Sequence, residues 1–120
     1  MTINEVAQRF MELAKQNQYD QIQDELYAQD CESIEPPTAG AMGLPDVKGL
    51  EAIKEKGKNF NAMIEDFHSG YTGELTIAGN YFSVPMGMDV TMKGAGRIKM
   101  DEIAVYEVKD GKISKEQFFF

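Results

Sequence analysis

The spacing of apolar side chains changes once along the chain, near residue 68, from a period of about 3.6 to a period of 2, so helices are expected first and strands after them. Thr2 and Glu5 stand at capping-box spacing, and Ile3, Val6, Phe10 and Leu13 follow as one apolar stripe, which predicts a helix from Ile3 to about Gln16. Asp20 is placed to cap a second, short helix carrying Ile22 and Leu26. Cys31 to Glu35 reads as a short edge strand that Pro36-Pro37 ends, and the breakers between Thr38 and Lys48 predict a loop. Ile53, Phe60, Ile64 and Phe67 recur at helical spacing, so a third helix is expected over roughly Leu50 to Glu65.

From Tyr71 onward, turn signals at Gly79-Asn80, Lys93-Gly94-Ala95-Gly96 and Asp110-Gly111 mark out four extended runs, joined closely enough for an antiparallel meander. Between Tyr81 and Met92, alternation puts Phe82, Val84, Met86, Met88, Val90 and Met92 on one face. Fully extended, this run spans some 40 Å, against a diameter of ~35 Å for a globule of this length, so the strand should bend, with Pro85 and Gly87 marking the bend. The expected fold class is α+β: a cone-shaped, curved antiparallel sheet, a four-strand meander plus a short N-terminal strand, wrapped around three N-terminal helices in one domain, 1–120.

A chain of 120 residues, 42% hydrophobic and 27% charged, can bury one core of this kind. Its 12 basic and 20 acidic residues leave a net charge of −8, which repels phosphate backbones and anionic lipid, so neither nucleic acid nor membrane is an expected partner. A single cysteine, Cys31, and a single histidine, His68, cannot form an internal disulfide, a cysteine zinc site or a multi-histidine centre. No metal and no cofactor is expected, and Cys31 is expected to pack as a small hydrophobe. The charged start MTINEVAQRF and the lack of a membrane-length apolar run point to a cytoplasmic protein.

Candidate chemistry follows from departures from pattern. Glu102 interrupts the apolar face of Ile98, Met100, Ala104, Tyr106 and Val108; a carboxyl there must be protonated, paired with Arg97, Lys99 or Lys115, placed at a dimer interface, or turned to a wet cavity. His68 is the one side chain that ordinarily titrates near neutrality, and serves either as a proton shuttle or as a hydrogen-bonded residue opening the first meander strand. Tyr106 and Gln117 offer a hydroxyl and an amide to orient a ligand carbonyl, or a structural pair. Met86 and Met88 supply an adaptable apolar wall, or ordinary core filler. Phe119 alternates with Phe118 and Phe120, so one face of the final strand lines the cone and the other is expected to form a homodimer through the outer sheet face.

The element order resembles the nuclear transport factor 2-like, cystatin-like superfamily, which includes SnoaL-like polyketide cyclases and ketosteroid isomerase. The resemblance is carried by Leu26-Tyr27-Ala28-Gln29-Asp30-Cys31 running into Ile34-Glu35-Pro36, by Gly49-Leu50-Glu51-Ala52-Ile53, and by Met100 through Ile113 ending in Glu116-Gln117-Phe118-Phe119-Phe120; this last block resembles a SnoaL-like domain. It implies that Glu35 stands where the isomerase keeps its proton-moving carboxylate. Phe10 and Ala104 fall where the isomerase has its oxyanion donors, so steroid isomerisation is not expected. The expected protein is a homodimeric, cofactor-free pocket for a small apolar carbonyl or hydroxyl compound. Its chemistry, if any, is proton transfer in an isomerisation, cyclisation or dehydration. Glu35 would act as base, His68 or Glu102 as acid, and Phe10, Met86, Met88, Tyr106, Gln117 and Phe119 as the lining. The alternatives are a non-catalytic homodimeric module with a filled cone and a hydrolase acting through an activated water.

Overall fold

A computed structural model describes the backbone of residues 1–42 and 44–120 and the side chains of residues 1–39 and 44–120. The capping box forms as the sequence predicts: Thr2 accepts from the Glu5 amide, Glu5 reaches back to the Thr2 amide, and helix α1 runs over Ile3–Ala14 with Val6, Phe10 and Leu13 buried. Helix α2 (Tyr19–Leu26) is entered from Gln18 without a side-chain cap; Asp20 lies inside its first turn, where its charge favours the positive helix end. Helix α3 (Leu50–Ala62) stops short of the expected Glu65, because Ile64 and Phe67 belong to a strand. Their spacing imitates a helical stripe, yet most of that strand is exposed and so shows no alternation. Within the expected Thr38–Lys48 loop the chain forms a 3-10 turn over Pro37–Met42 and a two-residue strand, β2 (Val47–Lys48); Gly43 lies outside the described residues.

The remaining strands are β1 (Tyr27–Ile34), β3 (Ile64–Thr72), β4 (Thr76–Ala78), β5 (Tyr81–Met92), β6 (Gly96–Lys109) and β7 (Lys112–Phe119). They form one sheet in the order β2-β1-β7-β6-β5-β3, with β4 on β5. All three turn signals join consecutive strands. The expected edge strand lies inside the sheet, because Lys48 and Val47 pair with Glu32 and Ser33 on one side while β7 pairs in parallel on the other. The sheet is therefore curved, mixed and unclosed, with the helices against its concave face. No helix among the described residues is long and apolar enough to cross a membrane.

Part of the length that curvature was expected to absorb is taken up by shape, since the molecule measures 42 × 26 × 24 Å. Strand β5 runs without a bulge through Pro85 and Gly87, each opposite one residue of β6. Proline is tolerated because Pro85 faces the gap where the outer partner of β5 changes from β4, ending at Thr76↔Ser83, to β3, ending at Thr72↔Met86; only the Gly73 amide meets the Pro85 carbonyl there. Gly87 lies under Tyr71: an added Cβ would stand 2.5 Å from the Tyr71 ring and 2.6 Å from the Met100 carbonyl oxygen. Gly87→Ala is expected to cost about 1–3 kcal/mol in a urea melt, because a backbone carbonyl cannot rotate away as a side chain can.

The core joins α1, α2 and the near half of the concave face. Phe10, Phe82 and Tyr106 form an aromatic trio with ring centroids 4.7–5.3 Å apart. Beyond it, Val84 and Ala104 are buried, then Met86, Met88, Met100 and Glu102 on the same face are half-buried. Solvent therefore reaches this part of the concave wall.

Candidate active site

Strand alternation brings Glu102 to the concave face opposite Met86, with Ala104 and Met100 beside it along β6. It makes no hydrogen bond among the described residues, and burial, then the charges of Glu35 and Glu116, push its carboxyl up to about 7. Nearby, Lys56 of α3 turns inward with its side chain 7% exposed and donates to Glu35 Oε2 at 2.8 Å, Ser33 Oγ at 2.5 Å and the Pro45 carbonyl at 3.2 Å. The Ser33 hydroxyl donates to Glu116 Oε2 at 2.6 Å, and the Tyr27 hydroxyl donates to Glu116 Oε1. Both Glu116 oxygens thus accept, an arrangement that suits a carboxylate, while desolvation pushes the group's pKa up. Glu35, 6% exposed at its side chain, is part of this chain of contacts through Lys56.

Tyr106 completes the wall. The residue is 3% exposed. Burial and the charges of Glu116 and Glu102 hold its pKa well above the usual phenol value, with no hydrogen bond contributing. Among the described residues its hydroxyl makes no hydrogen bond. From the other side, the Tyr19 hydroxyl at the start of α2 approaches Thr72 Oγ1 at 3.4 Å, across the end of β3.

The structure thus joins two of the three expected acid/base residues. His68 is the exception: it is the extra residue at a register shift between Phe67 and Ser69, and its Nε2 meets Thr91 Oγ1 at 2.8 Å on the convex face, beside the Asp89–Arg97 pair. The bulge turns it away from the concave face. Gln117 and Phe119 are also corrected, because they oppose Val105 and Ile103 on the convex face, whereas Glu116 and Phe118 point inward. Phe10 is 1% exposed within the aromatic trio and does not line open space. Met86 and Met88 stand on the half-buried concave wall. Cys31 is fully buried, and desolvation pushes its thiol up to about 12. A groove of about 440 Å³ lies elsewhere, lined by Asp30, Glu32, Lys48, Lys109 and Lys115 among others; a second, of about 380 Å³, lies along α1. Neither contains Glu35, His68 or Glu102.

Lys56, Ser33, Glu116 and Tyr27 escaped the sequence reading. Lys56 sits in a run of charged residues, yet it falls between Ile53 and Phe60 on the helical stripe, a position that marks it as inward-facing.

A helix-filled, curved mixed sheet with polar groups on its concave wall defines the α+β nuclear transport factor 2-like, cystatin-like class. Within that class the chain belongs to the SnoaL-like domain family, whose model matches residues 1–120. A protein from Mesorhizobium loti, provisionally designated a SnoaL-like polyketide cyclase with carbohydrate phosphatase as a second designation, is 34% identical over the whole of both chains, with a TM-score of 0.87. The structure of TerC co-crystallised with polyporic acid is 19% identical over 98% of this chain and 90% of that one, with a TM-score of 0.76. A ketosteroid-isomerase-like fold from Catenulispora acidiphila in complex with trimethylamine is 19% identical over 82% of this chain and 72% of that one, at a TM-score of 0.65. No curated protein matches the sequence.

Proposed function

We propose that the concave wall binds a small, mostly apolar carbonyl compound and moves a proton next to its carbonyl, as in an isomerisation, cyclisation or dehydration, without a cofactor. The observation that carries the reading is a carboxyl, Glu102, set among methionines on a solvent-reached wall with no hydrogen-bond partner among the described residues. A carboxyl at about 7 exchanges a proton in either direction near neutral pH, which suits general acid/base catalysis. Tyr106, kept protonated, donates to the oxygen on which negative charge develops. Glu35 positions Lys56 and contributes its charge. The likeness to a designated polyketide cyclase and the polyporic acid bound to TerC support a carbonyl-rich ligand.

The test is hydrogen–deuterium exchange next to the carbonyl of 2-tetralone, followed by NMR. The protein should accelerate exchange with a rate that rises through pH 7 as Glu102 ionises, and Glu102→Gln should lose about 10²-fold or more. Exchange no faster than in buffer, across a set of enolisable ketones, would overturn the reading.

A second reading is a non-catalytic homodimeric module. It is favoured by the convex face, where Ile103 and its neighbour Phe119 are 51% and 49% exposed, and by the two grooves, which lie outside the concave wall.

A further inference from the structure

The charges of Glu35, beyond the end of β1, and of Glu116, on β7, act on Glu102, whose own charge reaches Tyr106 on the same strand and Tyr71 on β3. Beside Glu35 and Glu116 stand Lys56 of α3 and Tyr27 of β1. Lys56 is the one cation in this set, and its three N–H groups are already matched by Glu35, Ser33 and the Pro45 carbonyl. A ligand carboxylate would therefore find no ammonium donor and would meet the field of two or three carboxyl groups. Glu102, by contrast, has no cation of its own among the described residues.

An acidic set alone does not make a ligand site. Here a second feature stands beside it: the Tyr106 hydroxyl, on a residue only 3% exposed, has no partner among the described residues and lies within reach of the charges of Glu102 and Glu116. A donor and a carboxyl that both lack partners among the described residues ask for a ligand with an acceptor oxygen and a positive charge. Met86, Met88 and the ring of Phe118 supply polarisable surface around such a cation.

From this geometry we infer that the concave site selects amine-bearing compounds, with the protonated nitrogen against Glu102. The inference rests on the reading of the wall as a ligand site, and narrows the ligand by charge. Binding of the cation favours the ionised carboxyl, so ammonium binding below pH 7 releases a proton and weakens as pH falls, the opposite of what a neutral ligand would show.

Three probes of similar size separate the possibilities: 2-phenylethylammonium, 2-phenylethanol and phenylacetate. Binding is followed through the 13C-labelled methyl signals of Met86, Met88 and Met100. At pH 8 the ammonium should bind about tenfold or more tightly than the alcohol, and phenylacetate more weakly than either. The ammonium preference should shrink at pH 6 and vanish in Glu102→Gln, which keeps the shape and removes the charge. Equal affinity for ammonium and alcohol, with the same methyl signals shifting, would overturn the charge selection and leave the ligand site standing. If none of the probes shifts those methyls, both the selection and the site are overturned.

Discussion

At pH 8, Glu102→Gln should unfold at higher temperature and higher urea concentration than the parent chain. A carboxyl whose ordinary value is 4.5 and which burial holds at about 7 is more protonated when folded than when unfolded across that interval. Stability is therefore full below about 4.5 and falls as pH rises through 7, where ionising Glu102 in its largely buried setting costs on the order of 3 kcal/mol. Glutamine mimics the neutral form at every pH. The gain should be about 3 kcal/mol at pH 8, or roughly 10 °C in Tm for a chain of this size, and should narrow to under about 1 kcal/mol at pH 4.5. Calorimetry at the two pH values checks it; a pH-independent difference would mean that Glu102 is not the titrating group. The same substitution removes the proposed proton carrier, so the stabilised protein should be the inactive one.

Lys56→Met should act in the reverse direction. It leaves Glu35 and Glu116 buried with their shared counter-charge gone, and cutting one partner from a buried pair typically costs about 3–5 kcal/mol. The loss comes from the stranded carboxylates rather than from the absent contact. Adding Glu35→Gln to Lys56→Met should therefore restore most of the stability, to within about 1–2 kcal/mol of the parent, as read from a double-mutant cycle in urea. A double variant as unstable as the single one would show that Lys56 matters mainly through its packing beneath Phe118, whose ring centroid lies 6.0 Å from Nζ.

The helical half of the fold was legible where local signals act alone. The Thr2 capping box and the stripe of Val6, Phe10 and Leu13 depend on residues within four of one another, and both formed as read. The meander was equally legible, because its turns need glycine or asparagine conformations that the sequence displays; Gly79, Gly94, Gly96 and Gly111 all have positive φ. What misled was β3, whose exposed residues carry no alternation and whose Ile64 and Phe67 extend the helical spacing of α3 by coincidence. Glu102 could be found because one carboxyl stood in an apolar series. Glu116 could not: the register shift between Glu107 and Val108 moves it onto the same inner face as Ile113, so parity counted along β7 assigns it to the wrong side. His68 was misplaced for a similar reason, a bulge that no residue pattern announces. Partners brought together by sheet order, such as Ser33 and Glu116, lie outside the reach of any local pattern.

The parallel union of β1 with β7 sets a kinetic condition on the site. Ser33 and Glu116 are separated by 83 positions along the chain, and Tyr27 and Glu116 by 89. Hairpins between β5, β6 and β7 close short loops and are expected to form early, whereas the inner polar network closes loops of 83 and 89 positions. Ligand competence should therefore be the last property acquired as the protein matures. A population that already has most of its backbone pairing will still hold Glu116, Tyr27 and Lys56 exposed to water and to one another's wrong partners.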